Sequence, residues 1–134
     1  MERVLALDIG TVRIGVAISD PLQIFPSVTK VVLRKENPVE EINGLIEQYK
    51  IKKLIVGVPY NMDGTIGAQA KDCMEFAKNF ENSCDIIFED ERLTSSEAEE
   101  MLRCANKQYT KDKGLVDMQA ACLILTQYLN RKQG

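Results

Sequence analysis

The chain is 134 residues long, 45% hydrophobic and 28% charged, a balance that fits one globular domain burying roughly two thirds of its unfolded surface. Histidine is absent, which excludes Ser-His and Cys-His nucleophile pairs and any imidazole-held metal. A net charge of −3 offers no global attraction to nucleic acid, so such a substrate would need a local basic surface.

Residues 4–7 form an unbroken apolar run ending in one carboxylate, Asp8, with Gly10 just beyond. A run of this kind bounded by glycine reads as a strand buried on both faces. A second run follows almost at once, predicting an antiparallel hairpin with Gly10 near the turn. Asp8 then stands at the carboxyl end of a core strand, where an ionised group is costly unless it meets a cation, a metal or several donors. The plain alternative is an aspartate accepting N–H bonds from its own turn.

Pro21 and Pro26 bracket a loop, and 28–34 reads as a third strand whose charges suit an edge. Asn37 and Pro38 open a helix, with Asn37 as capping residue and Glu40 and Glu41 in its first turn. Its apolar stripe is Val39, Ile42, Leu45, Ile46 and Tyr49. Residues 54–58 read as a second buried strand, stopped by Pro59. After the polar loop 60–64, Ile66, Ala70, Cys73, Met74, Ala77 and Phe80 recur at helical spacing as core.

A fifth strand spans 85–89 and runs into Asp90, Glu91 and Arg92. Thr94 to Glu97 has capping-box spacing for a short helix. Residues 103–114 hold four basic residues against one acid and read as a mobile loop. A final helix is expected over 115–129, with Val116, Ala120, Leu123, Ile124 and Leu129 inward. No linker, repeat or low-complexity tract interrupts the chain, so 1–134 reads as a single domain. The four cysteines form no Cys-x-x-Cys pair and are expected to be reduced thiols. The absence of a membrane-length apolar run or a signal-peptide pattern predicts a cytoplasmic protein without membrane contact.

Crossovers through the two long helices make strands one, four and five parallel. The predicted fold class is α/β, a five-stranded mixed sheet of order 3-2-1-4-5 with strand two antiparallel, flanked by helices. Sheets of this type bind ligands at the carboxyl ends of strands near the point where the topology reverses. Asp8, the 61–63 loop, Asp90 and Glu91 all fall on that edge, although Asp63 could equally cap the next helix. Carboxylates without histidine are the donor set of Mg²⁺ or Mn²⁺. Two such ions activate water and steady the leaving oxygen of a phosphodiester. A further acid is needed, and Asp117, opening the last helix, is the candidate; helix starts also favour acids for stability alone.

Leu7-Asp8-x-Gly10-x-x-Arg13-Ile14-Gly15-Val16-Ala17-x-Ser19-Asp20 resembles the opening of the bacterial YqgF family. Gly57-Val58-Pro59-x-Asn61-Met62-Asp63-Gly64, Asp90-Glu91-Arg92-Leu93-Thr94 and Asp117-x-x-Ala120-Ala121 match it in order, across nearly the whole chain. Members are described as pre-16S rRNA nucleases or Holliday-junction-resolvase-like proteins. The resemblance implies a ribonuclease H-like fold, a cytoplasmic role in maturing the 5′ end of small-subunit rRNA, and acidic catalysis by Asp8, Asp90 or Glu91, and Asp117. Glu91 is preferred over Asp90 for its longer reach, so the expected metal ligands are Asp8, Glu91 and Asp117.

Substrate contacts are expected from Gly10, Thr11, Arg13, Asn61, Arg92, Lys107, Lys111 and Lys113; Gly15 and Gly57 read as backbone geometry. The alternatives are a resolvase cutting branched DNA, which would need a symmetric dimer, and a non-catalytic ribosome-associated binding module. The oligomeric expectation is a monomer or weak homodimer. The Leu7 to Thr11 stretch also resembles the phosphate-binding start of sugar kinases and actin-like ATPases, which close two lobes around ATP.

Overall fold

The computed structural model describes the backbone of residues 2–93 and 113–133 and the side chains of 2–92 and 119–132. The short helix expected after Thr94, and most of the basic segment 103–114, lie outside the described residues. Five strands form one sheet: β1 (Val4–Ile9), β2 (Arg13–Ser19), β3 (Pro26–Leu33), β4 (Lys53–Val58) and β5 (Asp85–Asp90), in the order β3-β2-β1-β4-β5. β2 is antiparallel to β1 and β3, whereas β1, β4 and β5 run parallel. The order and directions are those expected from the sequence.

The β1–β2 hairpin is closed by Gly10, whose N–H donates to the Arg13 carbonyl at 2.9 Å. A Cβ at Gly10 would stand 2.6 Å from that carbonyl, so only glycine permits the turn. Helices α1 (Pro38–Gln48) and α2 (Ala68–Ala77) cover one face of the sheet. Ile42, Leu45, Ile46, Ala70, Cys73 and Phe76 join Leu5, Leu7, Ile14 and Val56 there in the larger core. The C-terminal helix α3 (Lys113–Gln133) covers the other face, packing Ala121, Cys122, Leu125 and Leu129 on Val4, Ala6, Ala17 and Ile55. The alternation of side chains along β1 therefore sends Leu5, Leu7 and Ile9 to α1 and α2, and Ala6 and Asp8 to α3.

Several local expectations are corrected. Asn37 does not cap α1 through its side chain; it sits in the left-handed region (φ 49°), which asparagine tolerates better than most residues. Ile66 is exposed rather than core, because α2 begins only at Ala68 and Ile66 stays in the preceding loop. Lys113 and Gly114 belong to α3, not to the loop, so this helix begins two residues before the expected Leu115. Asp63 caps no helix; its Oδ1 accepts from the Thr65 N–H and hydroxyl at 3.0 and 2.6 Å, tying its own loop. Leu123 is half-buried at the margin of the α3 core.

Far from the site edge, buried Asp20 organises the β2–β3 loop. Its carboxylate accepts from the N–H groups of Ile24, Phe25 and Leu22 at 2.7, 2.9 and 3.2 Å. Burial alone would raise its pKa, but those backbone bonds hold it below the usual carboxylate range. Among the described residues no helix is long and apolar enough to cross a membrane.

Candidate active site

At the carboxyl ends of β1 and β5, Asp8 and Glu91 line one cleft of about 220 Å³. Its other walls are Glu89 of β5 and the α3 residues Ala120, Leu123, Ile124 and Gln127. β1 and β5 are separated by β4, and the gap is bridged because β4 carries Gly57 opposite Glu89. A Cβ at Gly57 would lie 2.7 Å from Glu91 Oε1 and would collide with Ile124 Cδ1. The missing side chain thus admits both the carboxylate and the helix to the sheet surface. The sequence points to backbone geometry at Gly57; the structure uses it for space.

Glu91 follows β5 in a short 3₁₀ turn (Glu91–Leu93) and is half-buried. Burial pushes its pKa up to about 7, with further upward contributions from the Asp8 charge, a hydrogen bond to Asp8, and the Asp90 charge. With its proton on, Glu91 is the donor in that bond and Asp8 the acceptor. Two carboxyl groups sharing a low-dielectric cleft resist joint ionisation, and a cation between them would reverse that preference.

Asp90 faces other work. Its carboxylate accepts from the Arg92 backbone N–H at 2.9 Å and pairs with the guanidinium at 2.7 Å. That hydrogen bonding holds its pKa below the usual carboxylate range. The same guanidinium donates to the Asn61 and Met62 carbonyls at 3.3 and 3.2 Å and lies over the Tyr60 ring. Asp90, Arg92 and Asn61 therefore form a brace for the 60–65 loop beside the cleft, and none of the three lines it.

Thr11 lies in a different depression, with Arg34, Ala68, Gln69 and Asp72 near the start of α2. There Arg34 binds Asp72 through two parallel bonds of 2.7 and 2.8 Å and also donates to the Gly10 carbonyl. Arg13 begins β2 two residues before Gly15, the cross-strand partner of Asp8, so it shares the Asp8 face of the sheet. Asp117 falls within the first turns of α3, three residues before Ala120 and seven before Ile124; its side chain lies outside the described residues. Lys113 opens that helix; Lys107 and Lys111 lie outside the described residues.

Glu89 was not anticipated from the sequence. It is 1% exposed, and its Oε1 accepts from Arg131 Nη1 at 2.7 Å and Gln127 Nε2 at 3.1 Å. Its Oε2 is buried without a hydrogen-bond partner among the described residues. The available signal was alternation: Glu89 sits two residues after Ile87, directly behind the apolar run Ile86-Ile87-Phe88 and two residues before Glu91.

A family model described as Holliday junction resolvase, RuvX, matches residues 2–131. Curated relatives named "Putative pre-16S rRNA nuclease" include one from Sulfurihydrogenibium sp. (strain YO3AOP1), 43% identical over 98% of this chain and 92% of that protein. Another, from Natranaerobius thermophilus, is 42% identical over 97% of this chain and 95% of its own length. Among solved structures, Thermus thermophilus RuvC in complex with Holliday junction substrate superposes with a TM-score of 0.61 at 16% identity, covering 100% of this chain and 97% of that one. Fowlpox virus resolvase in complex with substrate Holliday junction DNA gives 0.67 at 13% identity, covering 98% and 99%. These likenesses establish the ribonuclease H-like fold.

Proposed function

The chain belongs to the RuvX family of Holliday junction resolvase-like nucleases, and on that premise we propose that it is a divalent-cation-dependent nuclease maturing the 5′ end of pre-16S rRNA. The observation that carries the reading is the Asp8–Glu91 pair, two carboxyl groups from separate strands in one cleft walled by α3. The rRNA assignment is supported by the shared name of relatives that match almost end to end. In this reading residues 1–134 act as one domain, a monomer or weak homodimer in the cytoplasm.

Asp8 and Glu91, completed by Asp117, would hold Mg²⁺ or Mn²⁺. The donor set fits: hard carboxylate oxygens, no imidazole, and a glutamate whose pKa, raised to about 7 by burial and by Asp8, a bound cation would lower. Among the described residues no three acidic groups converge closely enough to hold a metal; in this reading Asp117 of α3 and water complete the shell. When bound, the ion supplies water activation and offsets charge on the leaving oxygen. The protein's own contribution is placement. Gly57 lets Glu91 reach the cleft, α3 walls it with Leu123 and Ile124, and Arg92 braces the adjoining 60–65 loop. Gly10, Thr11, Arg13 and Asn61 would meet the flanking backbone, with Lys107, Lys111 and Lys113 as the electrostatic handle.

The test is cleavage of a pre-16S rRNA fragment and of a four-way DNA junction with Mg²⁺, Mn²⁺ or chelator, using D8N as control. Preferential, metal-dependent cutting of the RNA, lost by about 100-fold or more in D8N, is expected. Cutting of the junction alone would favour the resolvase reading, for which the family model's description speaks. Binding of RNA without cleavage by any of the proteins would leave a binding module.

A further inference from the structure

Among the described residues lining the cleft, Glu89 is the acid that the proposed ligand set does not use. A carboxylate 1% exposed with one oxygen lacking a partner is costly, since an unmet buried acceptor loses on the order of 1–3 kcal/mol. The two oxygens differ sharply in surroundings. Oε1 is engaged twice, by Arg131 at 2.7 Å and by Gln127 at 3.1 Å. Oε2 has no donor among the described residues, while the residue lines the same cleft as Asp8 and Glu91. The cleft, at about 220 Å³, has room for several waters, each taking ~30 Å³. Asp8, Glu89 and Glu91 do not form a three-acid cluster tight enough for direct ligation by all three.

We propose that Glu89 is a positioning residue of the cation site: Oε2 accepts a hydrogen bond from a water carried by the ion held at Asp8 and Glu91. The inference rests on the cation-site reading above and adds a member to it. Arg131 and Gln127 fix the carboxylate from α3, so the same contact couples the C-terminal helix to the site. A water on a cation is polarised by the ion into a strong donor and a poor acceptor. Oε2 is an acceptor and suits it; an amide N–H at that position does not. E89Q keeps the shape and, with its carbonyl toward Arg131 and Gln127, turns a donor into the cleft.

Calorimetric titration of the full chain with Mn²⁺ tests this, with folding of each variant checked by circular dichroism. Wild type should bind and D8N should not. E89Q should bind about 10-fold or more weakly, the usual effect of losing an outer-shell partner. R131K keeps a positive partner for Oε1 and leaves Oε2 untouched, so it should bind as tightly as wild type. Wild-type affinity in E89Q, or equal weakening in E89Q and R131K, would overturn the proposal and leave an ordinary buried ion pair. Failure of wild type to bind, or unchanged binding by D8N, would instead remove the cation-site reading beneath it. Should E89Q not fold, E89D takes its place; it keeps charge and partner but withdraws the carboxylate by one methylene, and is judged by the same affinity ratio.

Discussion

At the scale of single residues, the cleft carries a pH signature. Glu91 is held up at about 7, first by burial and then by Asp8, above an unfolded value near 4.3. The folded state therefore binds the proton more tightly than the unfolded one. The resulting stability is complete below about pH 4.3 and drains away as pH rises through 7. In chelator, the melting temperature should fall between pH 5 and pH 8, and E91Q should remove most of that fall. An unchanged slope in E91Q would assign the titration elsewhere. Asp20, Asp72 and Asp90 are held low and act only at more acidic pH, so they leave this window clear. D8N should fold at least as stably as wild type without metal, because it removes the charge that Glu91 opposes.

At the scale of elements, the decisive contact is that of α3 with the β4–β5 edge. G57A places a methyl against Glu91 Oε1 and Ile124, and overpacking of this kind costs about 1–3 kcal/mol. Urea unfolding should show that loss, and Mn²⁺ affinity should fall with it because Glu91 is displaced; a neutral G57A would mean that α3 shifts freely. The thiols report on the same packing. Burial pushes Cys73 and Cys122 up to about 12 and also raises Cys84. All three should resist a thiol reagent at pH 8 until the protein unfolds. Rapid labelling of any of them in the native protein would show that one of the two helical layers opens.

At the scale of the whole molecule, a chain of net charge −3 must bind a polyanion through local charge. Arg103, Lys107, Lys111 and Lys113 stand against Asp112 in the segment leading to Asp117. Each phosphate contact on a single strand contributes about 0.7 to the slope of log affinity against log salt. Replacing Lys107, Lys111 and Lys113 by Gln should flatten that slope by up to about 2 and raise KM far more than it lowers kcat. An unchanged slope in the folded triple variant would make the segment solvated surface.

Much of this was legible in the linear chain. Apolar runs ending in Gly or Pro located β1 and β4, helical spacing located α1 and most of α2, and the crossover rule ordered the sheet. Strand ends then put Asp8 and Glu91 on one edge, since periodicity and chain direction are local properties that survive packing. Three-dimensional packing decided the rest. Asp90 and Glu91 are neighbours in sequence, yet Asp90 turns to Arg92 while Glu91 turns to Asp8. Asn61 and Thr11 share the edge but not the cleft. Glu89 and Arg131 meet across 42 positions, and Gly57 matters through what α3 and Glu91 bring against it. Such pairings arise only when a helix docks on a sheet face, because burial and charge act through space and not along the chain.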